Sequence, residues 1–180
     1  MNFKNFLIRP QDFYFDESYI LTNITLRLLK LNSLHTDFPD LCISSIKESS
    51  PDLRAANNAT VLSALTKAVG FKAREARAYA LQLTKDATYD PKTTDLLRDC
   101  IDTYDDALDN LDAANEAIAA GDAGTRDTML SAMISDFGTC EDGFQEFTLK
   151  SPMADYSQTL QNMTDNCLAI ANIGRSEDDF

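Results

Sequence analysis

From Asn57 to Lys85, apolar and small residues return at Leu62, Leu65, Val69, Ala76, Ala80 and Leu83, the repeat of one face of an α-helix. A turn at Tyr89-Asp90-Pro91 follows, with proline where a helix begins. Beyond it Leu97, Ile101, Tyr104, Leu108, Leu111 and Ile118 step by four and three with one gap of seven, a heptad-like seam that ends at Ala120-Gly121-Asp122. A third stripe runs through Leu130, Met133, Phe137, Cys140, Phe144 and Phe147. Ser151-Pro152 restarts the chain, and Tyr156, Leu160, Met163, Cys167 and Ile170 form a fourth. No stretch alternates with the period of a strand. Long helices joined by short turns predict an all-α fold, an up-and-down antiparallel four-helix bundle.

Residues 1–50 read differently. Pro10, the cluster Phe13-Tyr14-Phe15, the apolar stretch from Ile20 to Leu34 and the break at Phe38-Pro39-Asp40 predict short helical pieces, a small extension or hairpin ahead of the bundle. The expected organisation is an atypical N-terminal segment over 1–32 and a bundle unit over 33–174. Within that unit the hairpin falls at about 33–50 and the bundle at about 55–174, and an acidic tail follows at 175–180.

Composition narrows the function. With 180 residues, 44% of them apolar, the chain can bury a core, which excludes a disordered tail. Its apolar runs fall short of the roughly 18 residues that span a bilayer, and Arg27, Lys30 and Asn32 interrupt the fullest. The net charge of −13 repels nucleic acid and anionic lipid, so a basic or neutral protein is the expected partner. The charge is concentrated: residues 91–147 hold fourteen acids against Lys92, Arg98 and Arg126, whereas residues 52–86 are net basic. Asp95, Asp99, Asp102, Asp106 and Asp109 step by four and three along one face of the second long helix, beside its apolar seam. Like charges so spaced cost helix stability. Two explanations stand at this point, a docking surface and internal balance by the basic first helix. A monomer or weak dimer is expected.

The four cysteines, Cys42, Cys100, Cys140 and Cys167, allow three complete pairings. An antiparallel hairpin turning at Gly121 brings Cys100 and Cys140 to one height, which favours a bridge between them; the alternative is two buried thiols. A bridge implies folding in an oxidising compartment. Met1–Pro10, however, has no continuous apolar core of the secretory kind. The fourth helix should end near the start of the first, so Cys42 and Cys167 form a second candidate pair or remain thiols. Sequons at Asn23, Asn58 and Asn162 are glycosylation candidates, at about the frequency chance supplies.

Leu97-Arg98-Asp99-Cys100-Ile101-Asp102-Thr103-Tyr104-Asp105-Asp106-Ala107 resembles a signature of the plant invertase and pectin methylesterase inhibitors. Ser131-Ala132 with Thr139-Cys140-Glu141-Asp142-Gly143-Phe144 resembles the family's second signature. Thr36-Asp37-Phe38-Pro39-Asp40-Leu41-Cys42 is similar to its N-terminal motif, and Asn166-Cys167-Leu168-Ala169-Ile170 to its last-helix motif. The likeness covers about residues 33 to 174. Around Cys140 and Ser151-Pro152 it is nearest to the branch that bears the invertase-inhibitor name and includes a pollen allergen.

Two departures stand out. Ser33 occupies the position of a family cysteine that bridges to the one matching Cys42, and Cys167 replaces a small residue. The resemblance implies a secreted, non-catalytic, cofactor-free bundle of the apoplast or vacuole. Such a protein inhibits pectin methylesterase or acid invertase by covering the active-site cleft. It also implies that Asp102, Asp106 and Thr139 lie at the contact with the enzyme. Asp99 and Asp109 join them as partner-binding candidates from the stripe itself.

Rival chemistry finds little support. A carboxylate-bridged metal bundle needs inward Glu-x-x-His pairs, and the chain has one histidine, His35. No acidic stretch has the glycine and glutamate positions of a calcium loop. Cysteine catalysis would have to use His35 beside Cys42. The remaining alternative is a cytosolic helical interaction module with the family fold and no inhibitory activity.

Overall fold

A computed structural model describes residues 33–50, 53 and 57–173. The N-terminal segment 1–32 with Asn23, and the tail 175–180, lie outside the described residues. Five helices make up the described chain: α1 (Pro39–Ser49), α2 (Asn58–Leu83), α3 (Pro91–Ala120), α4 (Ala123–Glu146) and α5 (Ala154–Ala171). Among the described residues there is no strand. Each of α2 to α5 packs on the next, and α2 meets α5 to close the ring, so the four long helices form the expected bundle. Helix α1 lies across α2 and α5. Over residues 33–50 there is thus a turn and one helix.

Local chemistry sets the ends. Asn57 caps α2 reciprocally: its Oδ1 accepts from the Thr60 amide at 2.9 Å, and its own amide donates to Thr60 Oγ1 at 3.1 Å. Asp90 Oδ1 accepts from the amides of Lys92 and Thr93 ahead of Pro91, starting α3. Gly121, at φ 72°, takes the left-handed conformation that ends α3, and the Asp122 amide reaches back to the Ala117 carbonyl at 2.9 Å. Asp122 then caps α4 by accepting from the Thr125 amide at 3.0 Å. Two residues therefore reverse the chain, which is why α3 and α4 run closely antiparallel.

The core is a single cluster fed by all five helices. The predicted stripe of α2 is buried throughout. On α3 the deepest positions are Leu96, Leu97, Cys100, Tyr104, Ala107, Leu111 and Ala114, whereas Ile101, Leu108 and Ile118 of the predicted seam are only half-buried. The seam is rotated toward the alanines because small side chains let neighbouring helices approach, and a pattern read from large residues passes over them. Phe147 departs from its stripe too: it follows the last residue of α4, is 47% exposed, and lies under the Lys92 ammonium 3.4 Å from the ring centre.

Cys100 and Cys140 are bonded, with Cα atoms 4.6 Å apart and a separation of 40 residues. Beside the bond, Tyr104 donates to Ser157 Oγ at 2.8 Å, and Ser157 donates onward to Glu141 Oε1 at 3.1 Å. Ser151 Oγ gives the same carboxylate oxygen a second donor at 2.8 Å and accepts from the Met153 amide at 3.0 Å. This chain joins α3, α4, α5 and the α4–α5 link. Burial pushes the Tyr104 hydroxyl up to about 12, so it remains a donor at physiological pH.

The double variant Cys100→Ser/Cys140→Ser is expected to lose about 4 kcal/mol by the chain-entropy estimate, read as a Tm lower by roughly 10 °C; an unchanged Tm would show that packing alone holds the hairpin. Thr148, past the end of α4, is a β-branched residue at φ 54°. Thr148→Gly should therefore raise stability by about 1 kcal/mol in a denaturant titration.

Candidate functional site

The stripe predicted on α3 exists as an exposed ridge. Asp95, Asp99, Asp102, Asp106 and Asp109 are all exposed, and Asp112 and Glu116 extend the line. Helix α4 lies alongside, stapled at Cys140, and presents Thr139 on the surface next to the staple. Thr139 Oγ1 donates to the Ser135 carbonyl of its own helix at 2.9 Å, which leaves the hydroxyl oxygen free to accept. The partner-binding candidates Asp99, Asp102, Asp106, Asp109 and Thr139 thus lie on one stapled helix pair.

Internal charge balance accounts for little of the ridge. Arg77 of α2 makes a two-point contact with Asp105, Nε to Oδ1 at 2.5 Å and Nη2 to Oδ2 at 2.7 Å, but Asp105 is half-buried and not part of the stripe. Asp102 adds only a longer-range pull on Arg77. Arg98 pairs with Asp95 on the same helix at 2.5 Å, and Lys92 is engaged over Phe147. Among the described residues, Asp99, Asp102, Asp106 and Asp109 have no ion-pair partner within 4.0 Å. The ridge carries its charge outward.

Asp136 of α4 belongs to the same face and was not among the predicted residues. It accepts from Asn110 Nδ2 at 2.8 Å, across the α3–α4 boundary. Burial, and secondarily the charge of Asp106, raise its carboxyl above the usual carboxylate value, against the lowering effect of the Asn110 bond. Its three-residue offset from Thr139 was the available signal. Among the described residues, no group of three His, Cys, Asp or Glu side chains is placed to hold a metal ion. His35 is exposed in the turn before α1.

The other predicted positions fall elsewhere. Asn58 begins α2 with its amide donating to the Ile173 carbonyl at 3.3 Å, and Asn162 sits within α5 accepting from Gln158 at 2.8 Å. Cys42 and Cys167 are buried thiols. A groove of about 440 Å³ opens between α1, α2 and α5, lined by Leu41, Phe71, Lys72 and Met163 among others, and includes none of the ridge residues. Among the described residues, no helix is long and apolar enough to cross a membrane.

A stapled four-helix bundle with an acidic face is the class this geometry defines. A family model described as plant invertase/pectin methylesterase inhibitor matches residues 32–170, and the chain belongs to that family. Pectinesterase inhibitor 1 of Arabidopsis thaliana is 27% identical over 159 residues, covering 87% of this chain and 85% of its own. The pectinesterase inhibitor of Actinidia deliciosa is 26% identical over 140 residues, with 75% and 72% covered. Pectinesterase 1 of Citrus sinensis is 25% identical over 156 residues, and there the chain spans about a quarter, 27%, of the relative's length. A crystal structure of a mutant form of an Arabidopsis pectin methylesterase inhibitor superposes with a TM-score of 0.65 at 23% identity, covering 78% of this chain and 93% of the other. That likeness carries the fold.

Asp136→Asn isolates the electrostatics of the face. A carboxyl raised in the folded state favours folding fully below its unfolded value of 3.8, and the benefit is lost as pH rises through the folded value. The variant should therefore be more stable than the wild type at pH 7, by roughly 1–2 °C in Tm. The advantage should shrink as the pH falls toward 3.8, and melting curves across that range check the trend.

Proposed function

We propose that the protein is a secreted, non-catalytic inhibitor of pectin methylesterase that docks the α3–α4 ridge over the enzyme's active-site cleft. The observation that carries this reading is the row of unpaired carboxylates at Asp99, Asp102, Asp106 and Asp109 beside Thr139, on a helix pair held rigid by a disulfide. An exposed single-sign ridge costs helix stability and gives nothing back until an oppositely charged surface meets it. The names of the relatives, inhibitors of pectinesterase, support that enzyme as the target. The formed Cys100–Cys140 bond supports export over a cytosolic module.

Inhibition on this account is steric and electrostatic. Carboxylates on the ridge steer a basic rim into place, and the rigid pair excludes substrate from the cleft. The double reversal Asp102→Lys/Asp106→Lys should weaken inhibition of pectin methylesterase by about 100-fold, near 3 kcal/mol of binding. Its Tm should stay within roughly 2 °C of the wild type, since neither side chain is buried. Full inhibition by the folded double variant would remove helix α3 as the docking face. A wild-type protein that inhibits acid invertase and leaves pectin methylesterase untouched would reassign the target.

A further inference from the structure

We propose that Cys42 and Cys167 are an oxidisable pair, joined in the mature protein by a second disulfide that ties α1 to α5. Both side chains lie in the core cluster at 1% and 0% exposure. Helices α1 and α5 are held together at this point by a two-point clasp. Asn166 Nδ2 donates to the Phe38 carbonyl at 3.0 Å, and Asn166 Oδ1 accepts from the Phe38 amide at 3.3 Å. That same carbonyl accepts from the Cys42 amide at 2.9 Å. The backbone of Cys42 and the neighbour of Cys167 therefore meet at one oxygen atom, which places both buried cysteines at the α1–α5 contact.

Elimination points the same way. Of the four cysteines in this sequence two are bonded, which leaves Cys42 and Cys167 as the remaining pair. Ser33, at the head of the turn before α1, offers no thiol, and that turn is closed by Thr36, whose amide and Oγ1 both donate to the Ser33 carbonyl. The two thiols also feel one another. Burial raises both, Cys42 to about 11 and Cys167 further, and for Cys167 the proximity of Cys42 is the next cause. Both are therefore neutral thiols in the folded core, and the bond between them would be neutral as well.

The oxidant is a low-molecular-weight disulfide such as oxidised glutathione. The Cys42 thiolate attacks one of its sulfurs, forming a mixed disulfide and releasing one glutathione thiolate. The Cys167 thiolate then attacks the Cys42 sulfur and expels the second. The protein loses two electrons and two protons, and two glutathione thiols form. Before the core closes both thiols are open to the oxidant, and either can start the exchange with the other completing it. Burial makes the step slow in the folded protein, so the bond forms during folding.

The full chain, reduced and unfolded, is refolded in a reduced/oxidised glutathione mixture, denatured without reductant in excess iodoacetamide, and weighed intact. The expected result is no alkylation before reduction and four alkyl groups after it, with a peptide map linking Cys42 to Cys167. Cys42→Ser and Cys167→Ala should each leave one alkylated or glutathionylated cysteine. Tm of the refolded wild type should exceed that of either variant by about 5–10 °C, and the gap should close in reductant mild enough to leave Cys100–Cys140 intact. Two alkyl groups, on Cys42 and Cys167, after refolding would overturn the proposal, as would separate glutathione adducts on both. The outcome is independent of any inhibitory assay.

Discussion

The bond between Cys100 and Cys140 fixes how far α3 and α4 slide past each other, and most of the molecule takes its position from that register. With the two helices pinned at one height, Tyr104 is carried into the core one turn along, where its hydroxyl meets Ser157 of α5. Glu141, next to the staple, becomes the acceptor at which Ser157 and Ser151 converge. A carboxylate this close to the core is tolerated because its lone pairs are met, and among the described residues no buried side-chain polar atom lacks a partner. The covalent staple and the polar chain thus do complementary work. One sets the axial register, and the other orients α5 against it.

The ridge is the outward counterpart of that arrangement. Its charges are arranged in the least comfortable way for an isolated helix, with repeated carboxylates at three- and four-residue spacing. The basic residues of α2 do little to relieve it: Arg77 holds Asp105, while Lys72 of the same helix lies over the Tyr156 ring and pairs with Glu75 at 3.1 Å. Helix α3 is held in place by its buried alanines and leucines and by the staple, so the chain can maintain a repulsive surface without the helix fraying.

The helices were legible because their apolar period is regular and their boundaries carry strong chemistry, as at Asn57, Asp90-Pro91 and Gly121-Asp122. The register of Cys100 with Cys140 followed from the centre of the α3–α4 turn alone. What escaped was anything that depends on size or on rotation about a helix axis. Ala107 and Ala114 proved deeper than Ile101 and Leu108, and Phe147 emerged to lie under Lys92. The acidic face was visible on α3, but its continuation through Asp136 was not. A single carboxylate on a neighbouring helix has no period, and its environment depends on Asn110 and Asp106 lying across the boundary. The choice between docking surface and internal balance also needed geometry, since only distances reveal which acid Arg77 selects.

The sequential topology also decides which contacts are closed locally and which across a long stretch of chain. Among the described helices α3 and α4 are joined by the shortest connection and share the most extensive contact, whereas α1 and α5 meet at Phe38 and Asn166, 128 residues apart. Contacts between distant segments depend on long loops being closed, whereas the α3–α4 pair is closed by a two-residue turn and by its own staple. The acidic ridge is therefore built on the most locally closed part of the protein. An enzyme that binds it meets a surface already ordered, and little of the association energy is diverted into freezing the inhibitor.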